Sequence, residues 1–317
     1  MSKVLRSSLY FLFILVAQAL GPSFLILLYR MLGISDPKLI LFLNHLIILI
    51  IPAIIFLLIS KEPAKKTLRL NKLHWQDTLL VILLGFVVQP VMTFFSLITV
   101  FFFNNNAGEF MGSIVSAPYP LLLAVMALLP TISEEITLRG IILSGYNNKN
   151  RYVAAAITGL FFGILHLDPQ QFLYTAALGF IFALVVRITN SIYSSMIMHF
   201  IINGTSVTML KITELIKNVL PIANETAETT LKNISSSEKL FLFIFYGIIA
   251  IIFSIFVFLI IYWLDKINKR RELTSGLEEV VEFNNENKLV KKERVINIPF
   301  ILAIVFYVGL MVIVNWK

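Results

Sequence analysis

The stretch of sequence that decides the fold reads Leu128-Leu129-Pro130-Thr131-Ile132-Ser133-Glu134-Glu135-Ile136-Thr137-Leu138-Arg139-Gly140. It lies within residues 120–143, which otherwise have the length and apolar composition of a membrane-spanning helix. On membrane-insertion scales, an ionisable side chain at the centre of such a helix costs roughly 2.5–3.5 kcal/mol. This segment carries three of them, Glu134, Glu135 and Arg139. Their cost indicates a functional site inside the membrane.

Helical spacing gives the two glutamates different surroundings. Glu135 and Arg139 are four residues apart, so their side chains can pair on one face of the helix. Glu134 lies about 100° away around the axis and has no partner in its own helix. Pro130 removes a backbone hydrogen bond one turn earlier and loosens the helix there. The structural alternative is a buried ion pair that only fixes helix packing.

The composition is that of a polytopic membrane protein. Of the 317 residues, 58% are hydrophobic and 14% are charged, whereas a soluble domain has roughly 45–50% apolar and about 25% charged residues. Cysteine is absent, which excludes disulfides, thiolate metal sites and a cysteine nucleophile. The net charge of +8 is spread over separate loops, so no nucleic-acid partner is predicted. No Walker A or G-x-G-x-x-G stretch is present, so we predict no nucleotide site.

The apolar segments predict an all-α fold, a polytopic transmembrane bundle of about nine helices with the site between spans four, five and seven. Spans five and six are shorter than the ~20 residues that a crossing requires, which suggests helices buried among others. We divide the chain into residues 1–119, with three spans and a basic cytoplasmic loop, residues 120–210, the catalytic core, and residues 211–317, with an external loop, two further spans and a charged cytoplasmic loop. The predicted spans are Leu9–Leu32, Leu39–Ser60, Thr78–Phe103, Pro120–Leu143, Tyr152–His166, Phe172–Ile188, Ile192–Ile212, Leu240–Leu264 and Ile298–Asn315.

Basic residues fall in alternate loops. Lys3 and Arg6 precede the first span, and residues 61–72 and 266–271 hold the densest basic clusters. Residues 104–109, in a loop of the opposite set, contain no Lys or Arg. By the positive-inside rule, this pattern predicts a multi-pass integral membrane protein with a cytoplasmic N-terminus. The Ile-, Lys- and Asn-rich composition suggests an AT-rich bacterial genome, and therefore the bacterial plasma membrane.

Span five ends with a histidine that faces a neighbouring helix. Gly159 and Gly163 form a small-xxx-small face, which lets another helix approach closely. Phe162 and His166 are four residues apart on nearly the same face. We therefore predict that His166 lies in a tight space between helices.

Span seven carries two hydrogen-bonding side chains on one face, His199 and Asn203, four residues apart. A lone histidine in a membrane span is often only a satisfied core group. At ~1.5 Å per residue, however, these two residues, His166 and Glu134 all fall in the middle layer of a core ~30 Å thick, which predicts one shared site. In span two, His45 and the asparagine before it are predicted to make only a polar packing contact.

A glutamate and two histidines that face one wet pocket indicate hydrolysis. Glu134 can take a proton from water, and His166 can orient that water or shuttle the proton. His199 and Asn203 can donate hydrogen bonds to a developing oxyanion. A metal-dependent interpretation uses Glu134, His166 and His199 as ligands around an activated water. The residues leave two possibilities open, a site without a cofactor and a site with a divalent metal.

Three motifs, taken in order, resemble those of the CAAX protease and bacteriocin-processing family, the Abi-type, type II CAAX prenyl endopeptidase-like intramembrane proteases. The resemblance covers residues 120–204, and the motifs are specific only in combination. The first three spans fit the family in general architecture alone. The motifs are Glu134-Glu135-x-x-x-Arg139, Phe162-x-x-x-His166 and His199-x-x-x-Asn203.

The resemblance implies a role for each motif residue. Glu134 and His166 would activate water, and His199 and Asn203 would form the oxyanion hole. The implied protein is an intramembrane endopeptidase, with a membrane-associated peptide or protein as substrate and the lipid bilayer as its surroundings. The supporting residues would be Glu135, Arg139 and Phe162.

The resemblance leaves the substrate open. Eukaryotic relatives cut after a prenylated cysteine, whereas bacterial relatives are linked to peptide maturation, bacteriocin self-immunity and surface-protein regulation. A competing interpretation is a non-enzymatic membrane bacteriocin-immunity protein, or a transport or binding protein whose polar residues carry ions or hold a peptide. Transporters often have two halves with matching broken helices, and the sequence contains no such match.

Overall fold

The computed structural model describes residues 1–219, 234–274 and 293–315 of the chain. Within these residues the regular structure is helical, without strands, which confirms the predicted all-α class. Two short helices, Ala64–Thr67 and Asn106–Ile114, lie in connections. The long helical segments are Lys3–Met31 (α1), Pro37–Ser60 (α2), Trp75–Val100 (α3), Tyr119–Gly145 (α4), Arg151–Leu165 (α5), Pro169–Thr189 (α6), Ile192–Val219 (α7), Ser236–Thr274 (α8) and Ile298–Asn315 (α9).

Each predicted span overlaps one of these helices. Six of them, α1, α2, α3, α4, α6 and α8, are long and apolar enough to cross a membrane, as expected of a polytopic membrane protein. α5 and α9 are shorter apolar helices, and α7 is 28 residues long but carries polar side chains. The count of nine spans and the division into residues 1–119, 120–210 and 211–317 remain predictions. The middle parts of the two predicted hydrophilic loops, 220–233 and 275–292, lie outside the described residues.

Two helices extend beyond the predicted spans. α7 continues to Val219 instead of ending at Ile212, and α8 continues past its apolar part to Thr274. In α7, Lys211 Nζ lies 2.5 Å from a carboxylate oxygen of Glu214, three residues on. Such pairs stabilise a helix modestly, so a hydrophilic composition alone does not end it.

The helix with the glutamate doublet lies in the interior of the bundle. In the most apolar 18-residue window, 44% of the α4 residues and 50% of the α6 residues are buried. The corresponding share is 17% in α1, α2 and α8. The charged groups of α4 are therefore enclosed by other helices and do not face lipid.

Prolines disturb the helices on both sides of the site. α2 contains a π-helical segment, His45–Ile50, shortly before Pro52, and α4 contains another, Leu123–Leu128, shortly before Pro130. A proline has no N–H and its ring clashes with the carbonyl four residues earlier, which favours this wider turn. A third π-helical segment, Ile136–Ile142, follows the doublet directly. π-helical turns are frequent at functional sites.

Glycines allow α5 and α6 to pack closely, as their spacing predicts. A Cβ atom added to Gly159 would lie 2.6 Å from the backbone nitrogen of Phe180. A Cβ atom added to Gly163 would lie 2.9 Å from the carbonyl oxygen of Phe172. Only glycine permits backbones to approach to this distance. The close packing fixes the position of the histidine that ends α5.

The basic loops gather at one end of the bundle. Glu62, just after α2, accepts hydrogen bonds from Lys3 and Arg6 of α1, the latter at 2.7 Å. Asp77 at the start of α3 pairs with Arg271 near the end of α8 at 2.6 Å. This arrangement agrees with the alternation of basic loops along the sequence. The side of the membrane that this end faces remains a prediction.

Candidate active site

A fully buried ion pair lies at the centre of α4. Arg139 Nη1 donates to Glu135 Oε1 at 3.0 Å, and both side chains are 0% exposed. This confirms the pairing that their four-residue spacing predicts. The guanidinium also lies over the rings of Phe162 and Phe182, 4.4 and 5.0 Å from their centroids. Its Nη2 donates to the carbonyl oxygen of Gly179 at 3.4 Å. Arg139 therefore joins α4 to α5 and α6.

Glu135 has a second partner, on α7. His199 Nδ1 lies 2.9 Å from Glu135 Oε1, and His199 is only 4% exposed. A carboxylate only accepts hydrogen bonds, so His199 Nδ1 is the donor. The sequence predicts Arg139 as the partner of Glu135 and gives no sign of this contact. The same carboxylate oxygen thus holds a cation of its own helix and orients a histidine of another.

Glu134 differs from its neighbour in exposure and in partners. Its side chain is 15% exposed, against 0% for Glu135. Its Oε2 has no hydrogen-bond partner within the described chain and lies 3.8 Å from His199 Nε2. That separation is too long for a hydrogen bond. This oxygen is itself buried, as is the equally unpartnered Oε2 of Glu135, but only the Glu134 side chain is partly exposed and can be reached by water.

His166 lies at the end of α5, held by its own helix. Its Nδ1 lies 2.8 Å from the carbonyl oxygen of Phe162, and its ring meets the Phe162 ring edge-on at 4.7 Å. Because a carbonyl oxygen only accepts, Nδ1 carries the hydrogen, which leaves Nε2 of the neutral ring as an acceptor. The Phe162 ring also lies 5.8 Å from that of His199. Phe162 therefore separates and positions the two histidines.

Asn203 contacts α4 about two turns before the doublet. Its Nδ2 donates to the carbonyl oxygen of Met126 at 3.4 Å. Met126 lies four residues before Pro130, which has no N–H to bond that carbonyl in an α-helix. The asparagine thus binds a carbonyl that the proline leaves available. Its amide has a second N–H for another acceptor.

Sequence reasoning missed one histidine near the site, His45. Its Nδ1 lies 2.7 Å from the Oγ atom of Ser133, the residue before the doublet. Ser133 Oγ in turn donates to the carbonyl oxygen of Leu129 at 2.9 Å. The asparagine before it contacts Tyr29 instead, at 2.9 Å. His45 is a polar packing contact, as predicted, but one that lies within electrostatic range of Glu134 and of both site histidines. The position of His45 near the middle of span two, at the depth of the other site residues, could have indicated this from the sequence.

The three residues of the metal-dependent alternative do not form a ready ligand set. Among the described residues, no group of three His, Asp or Glu side chains is placed so that it could hold a metal ion. The set Glu134, His166 and His199 therefore remains a prediction from the sequence.

The fold is that of a polytopic membrane protein, and its helical bundle encloses a buried cluster of glutamate, histidine and arginine side chains. Residues 116–205 match the model of the family described as type II CAAX prenyl endopeptidase Rce1-like. They include every site residue except His45. Through this segment, the chain is similar to the CAAX protease and bacteriocin-processing family, as its three motifs indicate.

A curated relative gives the same indication. The chain is 34% identical over 91 residues to "Putative membrane peptidase YdiL" of Bacillus subtilis (strain 168). The matched region spans 28% of this chain and 37% of that relative. No solved structure matches the chain.

Proposed function

We propose that the chain is an intramembrane endopeptidase that hydrolyses peptide bonds of membrane-associated peptides or proteins. The observation that carries this proposal is the partly exposed Glu134 carboxylate beside His199. His199 is held in place by Glu135, which pairs with the buried Arg139. Hydrolysis needs a base that can reach water and a donor for the oxyanion, and these residue types supply both. The family and the peptidase relative support the same class of reaction.

The two ring nitrogens of His199 face the two carboxylates. Nδ1 donates to Glu135 Oε1 at 2.9 Å, and Nε2 lies 3.8 Å from Glu134 Oε2. Only the imidazolium form donates from both ring nitrogens. We infer that His199 acts in this form during the reaction.

The reaction begins with a water beside Glu134 Oε2. Glu134 takes a proton from the water while His166 Nε2 orients it, and the water oxygen bonds to the peptide carbonyl carbon. Protonated His199 donates from Nε2 and Asn203 from its second N–H to the developing oxyanion. The intermediate then collapses, the carbon–nitrogen bond breaks, and Glu134 gives its proton to the leaving amine. Glu135 keeps His199 in the orientation that this donation requires.

A cleavage assay separates the peptidase from a non-enzymatic immunity, transport or binding protein. The purified chain is placed in liposomes with peptides that each carry one apolar span, and products are identified by mass spectrometry. His166→Ala is compared with His74→Ala, because His74 is exposed and remote in sequence from the motifs. We expect wild type and His74→Ala to give the same products and His166→Ala to lose ~10²-fold or more in rate. Equal product from His166→Ala would overturn the proposal.

A further inference from the structure

A cleft of about 600 Å³ opens at the end of the bundle that gathers the basic loops. It lies between the loop after α2, the connection from α4 to α5 and the end of α6. Its walls carry four cationic side chains, Lys65, Lys66, Arg69 and Arg187, together with asparagines. Cavities of ~300–1,000 Å³ are typical of small-molecule sites. The cleft therefore has room for a polar group and part of an attached chain.

Both arginines are held by neutral oxygen atoms. Arg69 is 5% exposed and donates from Nη1 to the carbonyl oxygen of Arg139 at 3.1 Å, and it also bonds Asn147 Oδ1. Arg187 Nη1 donates to the carbonyl oxygen of Tyr146 at 3.2 Å. Neither arginine makes an ion pair with a carboxylate of the described residues. Burial, and to a lesser degree the charge of Arg187, lowers the pKa of Arg69 to about 10, so it stays cationic at neutral pH.

The backbone of Arg69 has a conformation that a residue with a side chain rarely adopts. Its φ is +49°, in the left-handed region, where the Cβ atom comes too close to the backbone. The N–H of Ile192, at the start of α7, fixes this conformation by donating to the Arg69 carbonyl oxygen at 3.1 Å. Strained residues of this kind persist where the surroundings hold them, and they cluster at binding sites. Here the strained residue places a cation in the wall of the cleft.

Two carboxylates at this end of the bundle are occupied by other cations. Glu62 pairs with Arg6 and Lys3, at 2.7 and 3.2 Å. Asp77 pairs with Arg271 at 2.6 Å. Among the described residues, no carboxylate pairs with any of the four cations of the cleft. The cleft thus combines a cavity with four positive charges that lack a counter-ion in this part of the chain.

We propose that this cleft binds a phosphate group, carried by an anionic lipid headgroup or free in solution. Arginine forks and lysine ammonium groups are the usual donors to phosphate oxygens. The cleft lies at the ends of the spanning helices, where headgroups are found, and basic clusters at this level attract anionic lipids. Because Arg69 also holds the carbonyl of Arg139, a bound phosphate would stabilise the end of the helix that carries the site.

The test measures thermal melting of the full chain in a neutral detergent. The protein is titrated with dihexanoyl phosphatidylglycerol, with inorganic phosphate, and with dihexanoylglycerol, which has the same acyl chains and no phosphate. We expect phosphatidylglycerol or phosphate to raise the melting temperature and dihexanoylglycerol to leave it unchanged. A rise with the lipid alone identifies a headgroup as the ligand. An equal rise with inorganic phosphate identifies the free anion.

Two matched double variants locate the effect. Lys65→Gln/Lys66→Gln removes two exposed charges of the cleft, whereas Lys61→Gln/Lys72→Gln removes two exposed charges of the same loop outside it. At about 1 kcal/mol per lysine, or about fivefold, the first variant should raise the half-saturating concentration about 25-fold. The second should change it by less than about twofold. Equal weakening in both variants, or no rise with either phosphate-bearing ligand, overturns the proposal.

Discussion

Adjacent carboxylates in α4 have different partners. Glu135 Oε1 binds Arg139 of its own helix and His199 of α7, and its side chain is fully buried. Glu134 is partly exposed, and its Oε2 has no hydrogen-bond partner in the described chain. A carboxylate that compensates a buried cation stabilises the fold. A partly exposed carboxylate that compensates no buried cation can take up a proton from water.

Glu135→Gln should therefore destabilise the protein. The amide cannot compensate Arg139, which is fully buried, and breaking a buried pair costs roughly 3–5 kcal/mol. The melting temperature in detergent should fall clearly. Arg139→Ala should lower it as well, because that change leaves the Glu135 carboxylate without its cation. Glu109→Gln is the control, since Glu109 is exposed and its loss should leave melting unchanged. Wild-type melting of Glu135→Gln would contradict this account of the pair.

His45 should be coupled to the site through Ser133. His45→Phe and Ser133→Ala each remove the 2.7 Å contact, so the second change should add little to the first. A double-mutant cycle on the cleavage rate should give a coupling of about 1 kcal/mol, or about fivefold. Asn44→Leu is the control, because Asn44 contacts Tyr29, and it should combine additively with Ser133→Ala. Additive effects of His45→Phe and Ser133→Ala would remove His45 from the site.

At the scale of helices, two features position the site. One π-helical segment begins at His45, which contacts Ser133, and another contains Met126, whose carbonyl binds Asn203. The close packing of α5 on α6 fixes His166 and the rings that cover Arg139. Both features depend on proline or glycine, residues that change the backbone and carry no chemistry themselves.

Gly159→Ala should loosen the packing of α5 on α6. The added methyl group would lie 2.6 Å from the Phe180 nitrogen and 2.7 Å from the Ala176 carbonyl oxygen, and neither backbone atom can rotate away. Overpacking of this kind costs roughly 1–3 kcal/mol, so both melting temperature and cleavage rate should fall. Gly309→Ala in α9 is the control, since a Cβ there meets no atom within 4 Å. Equal behaviour of the two variants would show that the close approach does not matter.

For the whole molecule, the sequence predicts the helices and part of the site. Apolar segments locate each long helix, and the four-residue spacing predicts the pair of Glu135 and Arg139. It does not predict the contact of His199 with Glu135, because the relative rotation of α4 and α7 is set by packing between them. The π-helical segment Ile136–Ile142 further shifts side chains from ideal α-helical positions. Contacts between helices distant in sequence, such as that of His45 with Ser133, leave no periodic pattern.

The topology predicted from the basic loops can be tested by cysteine labelling, because the chain has no native cysteine. Ala64→Cys and Ser236→Cys place exposed thiols in loops of opposite predicted sides and change no charge. A membrane-impermeant reagent applied outside intact cells should label Ser236→Cys and leave Ala64→Cys unlabelled until the cells are opened. Labelling of Ser236→Cys only from the cytoplasmic side would show that the nine-span count is wrong.

Turnover by Glu134→Gln tests the central claim most directly. The amide has nearly the shape of the carboxylate but cannot take up the proton, so the rate of peptide cleavage should fall ~10²–10⁴-fold while thermal melting stays close to wild type. Glu109→Gln, measured in parallel, should keep both the rate and the stability of the wild type. A stable Glu134→Gln protein that cleaves at the wild-type rate would contradict the assignment of Glu134 as the base.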